Sequence, residues 1–216
     1  MAREITQDDF LKDVQHHVMT IAHDDGVRRH LAFRDSRPDR SWLHWFEVVT
    51  WPGALCIRGD CGTYVFSRVN DMFKFFRHDG HGDGLYINDG YWAEKLIASD
   101  SRGRHADGVM RFDPDEFCDA VKRRYVEHVR RNMVGMPDER KALRRALEDE
   151  VLSCADSGEL DAMRAASDFE HDGFRLDDFW EVDCRKYTVQ FIWSLYAISW
   201  AIQQYDRRDD AKSAAA

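Results

Sequence analysis

Apolar and polar positions alternate in short runs over residues 42–67 and then change to a helical period. Trp42 to Trp51, Leu55 to Arg58 and Thr63 to Ser67 read as three strands, divided by Pro52-Gly53 and by Gly59-Asp60-Cys61-Gly62. Both dividers supply residues that tolerate the positive φ of tight antiparallel turns. Asn70-Asp71 then caps a helix bearing Met72, Phe73, Phe75 and Phe76, which ends near His78 in a glycine-rich loop. Upstream, acids at Asp8 and Asp9 precede Phe10, Leu11, Val14, Val18 and Ile21. That spacing predicts an amphipathic helix stopped at Gly26, with a polar, arginine-rich connection from there to Pro38.

Beyond a polar stretch at residues 99–108 the pattern reads as helical. Tyr91 to Ile97 gives a short helix before that break. Asp113-Pro114-Asp115-Glu116 opens one carrying Phe117, Val121, Tyr125, Val129 and Met133, and Pro137-Asp138-Glu139 opens another with Leu143, Leu147 and Val151. A weaker helix spans Glu159 to Ala166. Phe179 to Gln204 closes the pattern and carries no charge between Tyr187 and Tyr205. Gln190, Ser194, Ser199, Gln203 and Gln204 interrupt this run, which favours a central core helix over a membrane span. The fold expected is α+β: one domain over 1–216, with a three-stranded antiparallel meander in 1–108 packed against a predominantly α-helical layer in 109–207, and a frayed tail at 208–216.

A hydrophobic fraction of 44% and an aromatic fraction of 12% exclude a disordered chain. Five scattered cysteines and an N-terminus without an apolar run point to a reducing cytoplasm. Cys56 and Cys61 lack a second pair to complete a zinc site, and the pattern calls for neither metal nor cofactor. The net charge of −9 is unevenly laid out. Arg111 to Arg145 is rich in arginine, whereas Glu148 to Asp183 holds thirteen acids against Arg164 and Arg175.

Three clusters could carry chemistry. The sheet and the helix after it display His44, Glu47, Asp60, Tyr64, Arg68, Asp71 and Arg77, and the loop following Arg77 holds His78, Asp79, His81 and Asp83. Together with Tyr91, Trp92, Glu94 and Lys95, the residues Asp60, Tyr64, Arg68 and Arg77 are candidates to bind a nucleotide or other small molecule, or to hydrolyse it. Lys122, Arg123, Arg124, Arg130 and Arg131 could neutralise phosphates, although nearby acids favour internal pairing over nucleic acid. In the acidic block, Glu170, Asp172, Asp177 and Asp178 are candidates for contact with a basic partner. No phosphate-binding loop, nucleophile elbow or zinc-protease motif supports an enzyme.

At TWPGALCIRGDCGTYVFSRVNDMFKFFR, INDGYWAEKL and FIWSLYAISWAIQQYD the chain resembles a group of small proteins, uncharacterised in activity, encoded by tailed bacteriophages and prophages. The resemblance implies a protein of the infected cell's cytoplasm. It implies no active-site residue. An accessory protein of this kind is expected to act without chemistry by binding a host or defence-system macromolecule, counter-defence inhibition being one such role.

Overall fold

The computed structural model describes residues 4–77, 84–100 and 108–214. It shows an α+β chain that clusters into two compact units. One takes in Arg3–Val109 and Tyr187–Ala216, the other Met110–Lys186. The closing helix therefore groups with the sheet, not with the helices that precede it.

In the first unit, α1 (Gln7–Val14) leads into strands β1 (His17–Asp25), β2 (Arg28–Asp35), β3 (Phe46–Trp51), β4 (Ala54–Gly59) and β5 (Gly62–Ser67). Short helices α2 (Met72–Phe76) and α3 (Asp89–Ala93) precede β6 (Leu96–Ser99). All six strands form one antiparallel sheet in sequence order. The expected three strands are thus the inner half of a six-stranded sheet, and the strand foreseen from Trp42 starts at Phe46.

Each correction has a local cause. Val14, Val18 and Ile21 fit a helical spacing, but Thr6 and Asp9 cap a helix of only two turns. From His17 the burial alternates with the two-residue period of a strand. The arginine-rich stretch is β2, because Leu31 and Phe33 point into the core while Arg34 and His30 emerge on the other face. Helix α3 stops at Ala93, and Leu96 pairs with Phe66, so the helix foreseen over Tyr91 to Ile97 gives way to strand at Leu96.

The core lies on one face of the sheet. Helix α7 (Val189–Ala214) packs across β3 and β5 and against α1 and α2. Phe191, Leu195, Ile198 and Ile202 are buried there, as the sequence stripe required. Phe46 stacks on Phe33 at 4.6 Å and meets the Trp193 edge at 5.6 Å, and Phe10 closes on Trp193 at 5.1 Å. On the opposite face Glu47, 8% exposed, accepts hydrogen bonds from Arg58 at 2.8 and 3.0 Å, with His30 Nε2 at 3.3 Å. Arg34 and Arg58 also lie over the Trp45 ring, at 4.9 and 6.0 Å from its centroid.

The second unit contains β7 (Met110–Phe112), α4 (Pro114–Asn132), α5 (Pro137–Glu150), α6 (Glu159–Asp168), the hairpin β8 (Glu170–His171) and β9 (Phe174–Arg175), and all but the last residue of β10 (Arg185–Tyr187), which pairs with β7. The helix expected over Phe179 to Gln204 does not start at Phe179. A single 3₁₀ turn, Phe179–Glu181, and β10 occupy its first third. Phe117, Val121, Leu143, Leu147, Val151, Ala162 and Phe179 form this unit's own core. Among the described residues no helix is long and apolar enough to cross a membrane.

Candidate functional site

The polar groups singled out on the sheet fall at two separate ends of it. At the β2–β3 and β4–β5 end, His44 adopts φ 52°, a left-handed conformation unusual for a residue with a side chain. Its N–H donates to Asp60 Oδ2 at 3.2 Å, and its carbonyl lies 3.0 Å from His17 Nε2. Its ring stands 3.7 Å from Asp13, a carboxylate that also accepts the Trp193 indole N–H at 3.0 Å. His17 Nδ1 is buried without a partner among the described residues, and burial lowers the His17 pKa below its usual value. Asp60 thus holds a turn, and Gly59 allows it to do so: a Cβ there would lie 2.2 Å from the Trp45 carbonyl oxygen.

Tyr64 lies inside the core, 1% exposed, at 5.2 Å from Phe191, and burial pushes its hydroxyl pKa up to about 12. Trp92 is likewise buried, edge-on to Phe76 at 4.7 Å. Arg68 is exposed beyond β5, and Ser67 N–H donates to the Lys95 carbonyl. Lys95 and Glu94 pair at 2.9 Å, with the Lys95 ammonium over the Tyr91 ring at 4.7 Å. Asp60 and Lys95 therefore flank opposite ends of six-residue β5, a strand about 17 Å long at 3.3 Å per residue.

Arg77 forms a two-pronged contact with Asp206 of α7 at 2.8 and 2.9 Å. Asp71 caps α2 and grips Arg29, whose guanidinium lies 4.5 Å from the Phe73 ring centroid. Among the described residues Asp60 anchors a turn, Tyr64 and Trp92 lie in the core, Arg77, Glu94 and Lys95 form ion pairs, and Arg68 and Tyr91 are exposed. His78, Asp79, His81 and Asp83 lie outside the described residues. Among the described residues no group of three or more metal-ligating side chains converges.

The second unit brings its acids to the surface together with apolar side chains. Asp172 and Gly173 take φ 48° and 81°, the two positive angles that a two-residue hairpin turn demands, so the β8–β9 tip projects Asp172 with a side chain 86% exposed. Glu170 and Asp177 flank Arg175 at 3.5 and 3.8 Å, all three side chains being more than half exposed. Asp178, itself at φ 53°, turns the chain into the 3₁₀ turn. That turn buries Phe179 completely against Phe117 and leaves Trp180 64% exposed.

Helix α6 packs on the same turn and carries Leu160, 72% exposed. Trp180 and Leu160 were not singled out in the sequence. The signal was available in Asp177-Asp178-Phe179-Trp180-Glu181, where two adjacent aromatics stand among acids. No protein-family model, curated protein or solved structure matches this chain.

Proposed function

We propose that this protein is a non-catalytic binding protein that engages a basic protein surface through the acidic face of its Met110–Lys186 unit. The observation that carries the reading is Trp180, an exposed indole on a hydrogen-bonded 3₁₀ turn and flanked in the chain by Asp177, Asp178, Glu181 and Asp183. Buried aromatic anchors supply most of the energy in protein interfaces, whereas rim charges chiefly govern encounter rate and orientation. Glu170, Asp172, Asp177 and Asp178 provide such a rim. The resemblance to phage and prophage proteins supports a host or defence-system target in the infected cell, with counter-defence by occlusion as the biological role.

The test compares capture of one defined partner by the wild type, by Trp180→Ala, and by a Glu170→Lys, Asp172→Lys, Asp177→Lys, Asp178→Lys variant. All four acids are exposed, but Asp172 and Asp178 hold positive φ, so circular dichroism must first verify that the variant keeps its fold. Affinity should fall by at least about tenfold in each variant. Unchanged capture by both would remove the reading.

A further inference from the structure

We propose that a second copy of this chain is an occupant of the groove between α4 and α5, receiving the Trp180 face of its neighbour head to tail. The groove has a volume of about 270 Å³. Val121, Tyr125, Leu147 and Leu152 form its apolar floor, and Lys122, Arg144 and Glu148 stand on its rim. Val126 beside it is 40% exposed.

Lys122 and Arg144 pair with Asp119 at 3.5 Å and Glu148 at 2.8 Å, on side chains 60% and 69% exposed. Such surface pairs hold little energy and exchange readily. Arg123, Arg124, Arg130, Lys141 and Arg145 on the same two helices have no ion-pair or hydrogen-bond partner among the described residues.

Complementarity is what identifies the occupant. Residues 111–147 carry ten basic side chains against seven acidic, and residues 148–183 carry thirteen acidic against two basic. One unit therefore presents, on its arginine-rich helices, a groove with an apolar floor rimmed by Lys122 and Arg144 with Glu148 and, elsewhere on its surface, an acidic face with an exposed indole. Each supplies what the other lacks: Trp180 the apolar body for the floor, Asp177 and Asp178 the charges for Lys122 and Arg144. A contact between unlike surfaces leaves a free groove and a free face at its ends, so assembly continues, closing into a ring where the rotation permits and extending as a filament where it does not. The face is the one proposed above for the partner, so self-association and partner binding compete. That regulatory consequence rests on the partner reading, but the self-contact does not.

Sedimentation velocity over a concentration series tests the contact without any partner. The wild type should associate at about 0.05 M salt and dissociate by about 0.5 M, where screening is severalfold stronger. A groove reversal, Lys122→Glu with Arg144→Glu, and a face reversal, Asp177→Lys with Asp178→Lys, should each remain monomeric alone, since each then opposes like charges. Mixing the two reversed proteins matches every groove with every face and should restore association. A wild type monomeric up to about 1 mM, association indifferent to the reversals, or a mixture that stays monomeric would each overturn the proposal. Retention of the separate partner by the groove reversal, with loss by the face reversal, keeps the two readings distinguishable.

Discussion

Substitution of Gly59 by alanine tests the close approach of β3 and β4, on which the His44 turn depends. A Cβ at Gly59 would sit 2.2 Å from the Trp45 carbonyl oxygen, 2.7 Å from Phe46 Cα and 3.0 Å from Phe46 Cβ. The first two neighbours are backbone and cannot rotate away, so the strands must separate where Phe46 pairs with Gly59. Separation lengthens the 2.9 Å bond from Asp60 N–H to the Trp45 carbonyl and the 3.2 Å bond from His44 N–H to Asp60. Each such bond contributes about 1 kcal/mol net.

Displacing fully packed Phe46 adds an overpacking cost of about 1–3 kcal/mol. The total loss is about 3–5 kcal/mol, which lowers the melting temperature by about 6–20 °C for a chain of this size. Two other glycines calibrate the result. Gly53 has φ 88° with open space around it, so alanine there costs only backbone strain, about 1–2 kcal/mol. Gly90 lies in α3 with open space and no positive φ, so alanine should be neutral or stabilising by about 0.4–1 kcal/mol. Urea unfolding followed by tryptophan fluorescence gives all three. A Gly59→Ala protein within about 0.5 kcal/mol of wild type would refute the steric argument.

Burial depresses the pKa of His17, so the unfolded chain takes up the proton first as pH falls. Its contribution is complete above 6.5 and declines below that value; His17→Gln should flatten the urea midpoint between about pH 7.5 and pH 5.5, and an unaltered slope would contradict this. Burial raises the pKa of Asp24, Glu47 and Asp71, but hydrogen bonds from Arg208 and Tyr205, from Arg58 and His30, and from Arg29 outweigh it and leave all three lowered. Their stabilisation is present above the ordinary carboxylate range and should disappear as pH falls through the lowered values, a second acid step in the same titration. Leu195→Ala, at a fully buried position in α7, should cost about 2–5 kcal/mol. Tyr64→Phe, which removes a hydroxyl whose bond to the Cys61 carbonyl is a long 3.4 Å, should cost no more than about 1 kcal/mol; a larger loss would show that the hydroxyl contributes more than this long bond accounts for.

Local signals were legible wherever turn chemistry and period agreed. Pro52-Gly53 and Gly59 to Gly62 mark the β3–β4–β5 meander, Asp113-Pro114 starts α4, and the stripe from Phe191 to Ile202 marks the buried helix. Sequence failed where one pattern served two periods. Val14, Val18 and Ile21 suit a helix as well as a turn followed by a strand, and β2 hid behind arginines because its second face is not part of the core.

The chain by itself determined the α+β class, the inner meander and the acidic block, because these follow from neighbours within a few positions. Tertiary structure decided what each polar group does. Tyr64 and Trp92 entered the core, Asp60 became the anchor of a left-handed His44, and Arg77 was drawn to Asp206, which is distant in sequence. It also left Trp180 outside while burying Phe179 beside it. Which of two adjacent aromatics meets water depends on where the supporting helices place the surface, and residue spacing alone carries no such coordinate.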